Sequence, residues 1–262
     1  MQPKFGSLTN PTKDIVKEIQ RVRRQGFDFV EIGIEPPNGL PEILFKKRGK
    51  IKRLLKQFKY PPIGHTSWWV EFGSHHELVR VGWVREGKRM IDVAKVLGVE
   101  MINFHGMSFG MVMGKARKKS LDNFAKSMRE LVRYGKRKGV KVMLENVPDN
   151  KLGEFQNFKY LTDHVKGLGV HLDVAHAFIS GGMKDVVKYI RTFKDRIWHI
   201  HIHDNHGKED EHLGLGKGKM NFARIVKELK NIKYNKTITF EVFTSNKDML
   251  RSRERLKRLW NM

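Results

Sequence analysis

Residues 120–147 read SLDNFAKSMRELVRYGKRKGVKVMLENV, and two hydrophobic periods meet inside this stretch. Over 120–139, Leu121, Phe124, Met128, Leu131 and Val132 fall on one stripe at helical spacing, and a glycine closes the segment. KVMLENV at 141–147 is then a short apolar run of strand length that ends on a carboxylate, Glu145. The rest of the chain repeats this alternation. Upstream runs are KFGSL at 4–8, FDFVEIGIE at 27–35, PIGHTSW at 62–68 and MINFHGM at 101–107. Downstream runs are GVHLDVA at 169–175, IWHIHIHD at 197–204 and TITFEVF at 237–243. β-Branched and aromatic residues recur in these runs, as strands prefer. Amphipathic segments separate them, such as DIVKEIQRVRR at 14–24, which puts Ile15, Ile19 and Val22 on one face before Gly26. Strands alternating with helices give a parallel sheet. Eight such units within residues 1–262 predict an α/β fold, a single-domain (β/α)8 TIM barrel. The competitor is a doubly wound open sheet, which usually carries a glycine-rich phosphate loop after its first strand. GSLTNPTKD is not such a loop.

The composition narrows the chemistry. The 262 residues are 39% hydrophobic, ample for a core. No apolar run approaches the roughly 20 residues of a membrane helix, and MQPKFGSLTN lacks a signal-peptide pattern. A cytoplasmic monomer with no membrane partner is expected. There is no cysteine, so disulfides and thiolate metal sites are excluded. Any metal must sit on imidazole nitrogen and carboxylate oxygen. The net charge is +24, from 52 Lys+Arg against 28 Asp+Glu. A heat-adapted surface multiplies charges of both signs toward balance. This excess points to a polyanionic partner, nucleic acid above all.

Barrel active sites form at the C-terminal ends of the strands. There this sequence places His65, His105, Glu145, Asp173, His176, His201, Asp210, His212 and Glu241. Five of the twelve histidines fall in IWHIHIHDNHGKEDEHLGLGKG at 197–218. His171 and His199 alternate with Asp173 and His201, so they face the same side but deeper, as hydrogen-bonded core residues. His203 and His206 are close enough to contact substrate or to support a ligand. His75, His76 and His164 read as solvated. Burying nine ionisable side chains without cations is very costly. Divalent ions remove that cost by pairing the carboxylates and occupying the imidazole lone pairs. Nine ligands exceed the about four to six that one ion takes, and with one bridging carboxylate they suit two or three ions. All-N/O ligation suits Zn2+ or Mn2+, with Fe possible.

These residues resemble those of a known family. LDVAHAF, HIHD, DEHLGLGKG, ENVP, NFHG and the third-strand His65 are similar, in order along the chain, to motifs of endonuclease IV. That abasic-site endonuclease belongs to the xylose isomerase-like barrels. The resemblance runs from His65 to Glu241 and implies a three-ion cluster, usually zinc, on nine side chains. His65 and His105 resemble ligands of the first ion, and Glu145 resembles the carboxylate shared by the first and second. Asp173, His201 and Glu241 resemble the other ligands of the second, and His176, Asp210 and His212 those of the third. Trp68 and Trp69 fall where the family wedges side chains into duplex DNA to expose the lesion. With His203 they are the expected substrate contacts. Some segments depart from the pattern: HGMSFG after the fourth strand, NVPDNK after the fifth, and EPPNGLPE, which lacks the family's second-loop arginine.

The expected activity is hydrolysis of the DNA backbone at abasic sites, with Glu145 as the catalytic residue that orients the nucleophile. Asp204 or Asn205 is placed to hold the far nitrogen of a ligating histidine. Gly214, Gly216 and Gly218 would let the backbone approach a phosphate. The basic runs Lys46–Lys59 and Lys115–Lys119 are candidates for backbone contact. The alternative is a single-metal sugar or sugar-phosphate isomerase or epimerase of the same superfamily, which uses residues resembling Glu145, Asp173, His201 and Glu241. The glutamates would then act as acid and base beside a carbonyl.

Overall fold

The computed structural model describes residues 2–106, 115–148 and 154–262. Its strands are β1 (Lys4–Leu8), β2 (Phe29–Ile34), β3 (Ile63–Thr66) and β4 (Met101–His105), then β5 (Lys141–Glu145), β6 (Gly169–Asp173), β7 (Ile197–Ile202) and β8 (Thr237–Phe240). The helices are α1 (Ile15–Arg24), α2 (Pro41–Leu55), α3 (Glu77–Leu97) and α4 (Lys115–Lys138), then α5 (Glu154–His164), α6 (Val174–Phe193), α7 (Phe222–Asn231) and α8 (Asn246–Asn261). Every strand pairs in parallel with its sequence neighbour, and β1 closes on β8. This is the expected (β/α)8 barrel.

The alternation read from the sequence works as a two-sided instruction. Outward-facing residues such as Ile32, Phe104, Leu144, Leu172, Ile200 and Ile238 are buried against the helices in one continuous core. Inward-facing residues form layers. At the N-terminal end, Phe29, Ile63 and Met143 close the barrel, backed by Met101 and Trp198. Two glycines make room for this plug. A methyl group at Gly6 would collide with the Phe29 ring, and one at Gly169 with the Trp198 indole. The register of β6 against β7 slips between Val170 and His171.

Above the plug the interior turns polar. Glu31, Asn103, His171, His199 and Thr239 are fully enclosed there. Barrel interiors are more often filled by branched aliphatics. These groups form the floor of the site; His199 is hydrogen-bonded as expected, whereas both ring nitrogens of His171 lack a hydrogen-bond partner. The strands end sooner than the apolar runs. Trp68, Glu241 and Phe243 lie past the last ladder pair, on connecting segments where side chains can leave the sheet and converge.

Candidate metal centre

Each ligand-type side chain reaches the mouth for a local reason. Asp173 is the last residue of β6 and the N-cap of α6, and its Oδ1 accepts the backbone N–H of Ala175 (2.7 Å) and His176 (2.8 Å). Its Oδ2 is buried and has no hydrogen-bond partner. Asn103 on β4 donates from Nδ2 to Glu145 Oε2 and accepts the backbone N–H of Thr66 at 2.9 Å. Asn146 pairs with the backbone of Asp173 in both directions at 2.9 Å, which locks β5 to β6 beside the site.

The structure brings all nine residues together. His105 Nε2 lies 3.3 Å and His65 Nε2 3.7 Å from Glu145 Oε2. His201 Nδ1 lies 3.0 Å from Glu241 Oε2, 3.5 Å from Glu145 Oε1 and 3.9 Å from Asp173 Oδ2. Asp210 Oδ2 sits 3.1 Å from Nε2 of both His176 and His212. Ligand atoms of Glu145, Asp173, His201 and Glu241 all lie within 4.8 Å of one another, as do those of His65, Glu145 and His201. The far nitrogens of His176 and His212 are engaged as well, while His105 Nδ1 is buried without a partner. His176 Nδ1 donates to the Asn146 carbonyl at 2.8 Å, and His212 Nδ1 to the Glu241 carbonyl at 3.1 Å.

A cavity of about 510 Å³ opens onto this floor, lined by His65, His105, Glu145, His176, Asp210, His212 and Glu241. Trp68 and Phe243 stand in its wall, 68% and 60% exposed. Phe243 also packs on the His212 ring, with centroids 4.4 Å apart. Trp69 is half exposed and meets Trp68 edge-on.

The buried acids and imidazoles of the site shift one another's titration. Burial pushes the Glu145 carboxyl up to about 7, against the pull of His201 and His65. Burial also opposes ionisation of Glu241, yet the His201 and His212 imidazoles hold it well below the usual range. Burial disfavours charge on His65, but its hydrogen bond and attraction to Glu35, with Glu145 beyond, raise it to about 9. His176 and His201 are raised well above the ordinary value by carboxylate neighbours that outweigh burial. In the protein alone, protons on imidazole offset the carboxylates. The orphaned Asp173 Oδ2 and the convergence of carboxylate oxygens with imidazole nitrogens fit divalent ions, which would displace those protons.

Several expectations need correction. His203 is fully enclosed, with Nε2 3.3 Å from Asp173 Oδ2 and 3.5 Å from Asp210 Oδ1. It therefore faces the ligand-type residues and not a substrate surface. Asp204 holds no histidine: its Oδ2 accepts the backbone N–H of Gly216 (2.7 Å) and Gly218 (2.9 Å). Those two N–H groups are thus occupied, and the glycine segment is a folded support, not a phosphate cradle. Asn205 bonds the Ala175 carbonyl and the Gly207 N–H instead. The basic run from Lys46 descends along α2 away from the mouth, because barrel helices run antiparallel to their strands. Arg117, Lys118 and Lys119 open α4 at the mouth end. The Lys115 side chain and most of the HGMSFG and NVPDNK segments lie outside the described residues.

Two acids escaped the sequence reading. Glu35 lines the cavity, with Oε1 3.4 Å from His65 Nδ1. Glu31 lies beneath His201. The signal was present: even spacing within FDFVEIGIE puts both on one strand face.

A family model described as xylose isomerase-like TIM barrel matches residues 19–259. The chain belongs to the xylose isomerase-like TIM barrel family. Its relatives in that family divide by activity. An uncharacterised protein of Methanocaldococcus jannaschii is 36% identical over 124 residues, which cover 47% of this chain and 48% of that one. A probable endonuclease 4 of Aquifex aeolicus is 24% identical over 260 residues, 92% of this chain and 91% of that one. The crystal structure of a D-tagatose 3-epimerase-like protein superposes with a TM-score of 0.87 at 25% identity, covering 98% of this chain and 97% of that one. Nuclease-named and epimerase-named members of the family are thus about equally similar to this chain. No helix among the described residues is long and apolar enough to cross a membrane.

Proposed function

We propose that this barrel is a metal-dependent phosphodiesterase that cleaves the DNA backbone at abasic sites. One observation carries the reading: Asp210 Oδ2 stands 3.1 Å from both His176 and His212, a ligand group beside the Glu145–Asp173–His201–Glu241 set. A single-metal isomerase does not require this group for its one ion. His65 and His105 would hold one ion with Glu145, and Asp173, His201 and Glu241 a second with Glu145. His176, Asp210 and His212 would hold a third. Two to three Zn2+ ions, or Mn2+ or Fe, suit this donor set. Bound there, they would polarise a phosphodiester, lower the pKa of attacking water and offset charge on the leaving oxygen.

The chain's own groups divide the remaining work. Glu145, shared between the first two ions, would orient the attacking water. Trp68 and Trp69 offer apolar rings at the rim on which a base or deoxyribose face can stack. The +24 charge gathers the polyanion without regard to sequence.

The test is nicking of a duplex with one abasic site by metal-loaded protein. Two to three metals per chain, nicking, and its loss in His212→Ala are expected, with DNA binding that weakens as salt rises. Full nicking by His212→Ala would refute the third ligand group.

A second reading is a single-metal sugar epimerase. The four-residue Glu145–Asp173–His201–Glu241 group favours it, since it holds two glutamates that could serve as acid and base beside a single ion. One metal per chain, and ketose epimerisation that survives His212→Ala, would establish it.

A further inference from the structure

Of the two further acids at the site, outside the nine ligand-type residues, Glu35 lines the cavity and Glu31 lies below it. Glu31, on β2, is fully enclosed beneath the nine. Its Oε2 lies 2.9 Å from His201 Nε2 and 3.1 Å from His199 Nε2. A carboxylate oxygen can only accept, so both ring nitrogens carry the hydrogen. His199 turns Nδ1 to the Thr237 hydroxyl at 2.7 Å, and that hydroxyl donates. A chain of hydrogen bonds therefore runs from Thr237 through His199 to Glu31, where His201 meets it. Nδ1 of His201 hydrogen-bonds Glu241 Oε2 at 3.0 Å; an ion bound there would displace that hydrogen, while the one on Nε2 stays held by Glu31. The same Nδ1 faces Glu241, Glu145 and Asp173.

We propose that Glu31 is a positioning residue that fixes the tautomer and ring orientation of His201, so that this histidine binds a divalent ion through Nδ1. A flipped ring would leave an N–H without its acceptor in a closed interior, an arrangement buried polar groups avoid. His176 and His212 are steadied differently, by the backbone carbonyls of Asn146 and Glu241. A carboxylate is the stronger acceptor and makes the opposite ring nitrogen a better donor to metal. Glu31 would serve a nuclease or an epimerase alike. The inference rests on the proposed function in one respect only, that the mouth binds divalent ions.

The test is competitive titration of Zn2+, against a chromophoric chelator, into metal-stripped wild type and Glu31→Gln. Glutamine keeps the shape and removes the charge. The tightest Zn2+ site of Glu31→Gln should weaken about 10–100-fold, while the metal-free variant keeps the circular dichroism of wild type. Equal Zn2+ affinity in the two proteins overturns the role of Glu31 and leaves the metal-centre reading intact. Wild type that takes up no Zn2+ overturns both. Should Glu31→Gln fail to fold, 15N NMR of Zn2+-loaded wild type decides: metal on His201 Nδ1 with the proton on Nε2 supports the assignment, and metal on Nε2 overturns it.

Discussion

Asp173 and His176 are joined by the helix they begin: Asp173 Oδ1 accepts the His176 backbone N–H at 2.8 Å. The same carboxylate therefore starts α6 and, through Oδ2, faces the candidate metal centre. The Asp-x-x-His spacing is a capping geometry that also presents two ligands.

Asp173→Asn separates those roles. Asparagine caps helices about as well as aspartate, so the thermal midpoint of the metal-free protein should move little. Metal uptake should fall, because a neutral amide replaces the free Oδ2. Elemental analysis beside calorimetry checks this, and undiminished metal content in Asp173→Asn would remove Asp173 from the centre.

Stripping metal should destabilise the folded chain. A ligand at 100 times its Kd stabilises by about 2.7 kcal/mol, or roughly 5–10 °C for a domain of this size. Chelator should lower the midpoint by that order and Zn2+ should restore it. A midpoint indifferent to both would mean no ion binds the native state.

Trp68→Ala tests the rim. The indole is 68% exposed, so its loss should leave stability within about 0.5 kcal/mol of wild type. Stacking on a base is worth about 1–3 kcal/mol, so cleavage of an abasic duplex should lose roughly tenfold or more in kcat/KM. Unchanged kinetics would assign Trp68 to the surface alone.

Phe29→Ala opens the plug under the polar layers. Removing an enclosed phenyl costs about 3–5 kcal/mol. Denaturant unfolding should report that loss, and a change below about 1 kcal/mol would show that the barrel floor collapses to fill the space.

Several acids outside the centre contribute to the acid limb, Glu77 and Asp248 among them. Asp248 is held down at about 2, first by Lys217 at 2.8 Å and then by the Ser245 and Thr244 hydroxyls. Its folded value lies below the unfolded 3.8. The stabilisation is therefore present above pH 4 and is lost as pH falls toward 2. Wild type and Asp248→Asn should differ in stability at pH 5 and converge near pH 2. A constant gap across that range would count against the ionised pair.

The barrel was legible in the sequence because period-2 and period-3.6 patterns alternate eight times, and each period names its own element. The nine ligand types were legible because they cluster at strand ends, where the fold puts side chains near one another. Glu31 and Glu35 were passed over: their even spacing marks a shared face, but an acid inside an apolar strand looks the same whether that face meets solvent, a helix or a histidine. The glycines at 214–218 misled for a related reason: the N–H groups of Gly216 and Gly218 are free in any linear reading and are taken by Asp204 only after the loop closes.

By itself, the sequence determined the element order, the charge and the absence of thiolate ligands, all of which follow from residue identity and local spacing. Only the tertiary structure decided which nitrogen of His201 faces the cavity, which oxygen of Asp173 stays free and where His203 points. Those depend on hydrogen bonds between strands up to 170 residues apart, and such partners are set by barrel closure, not by any local period.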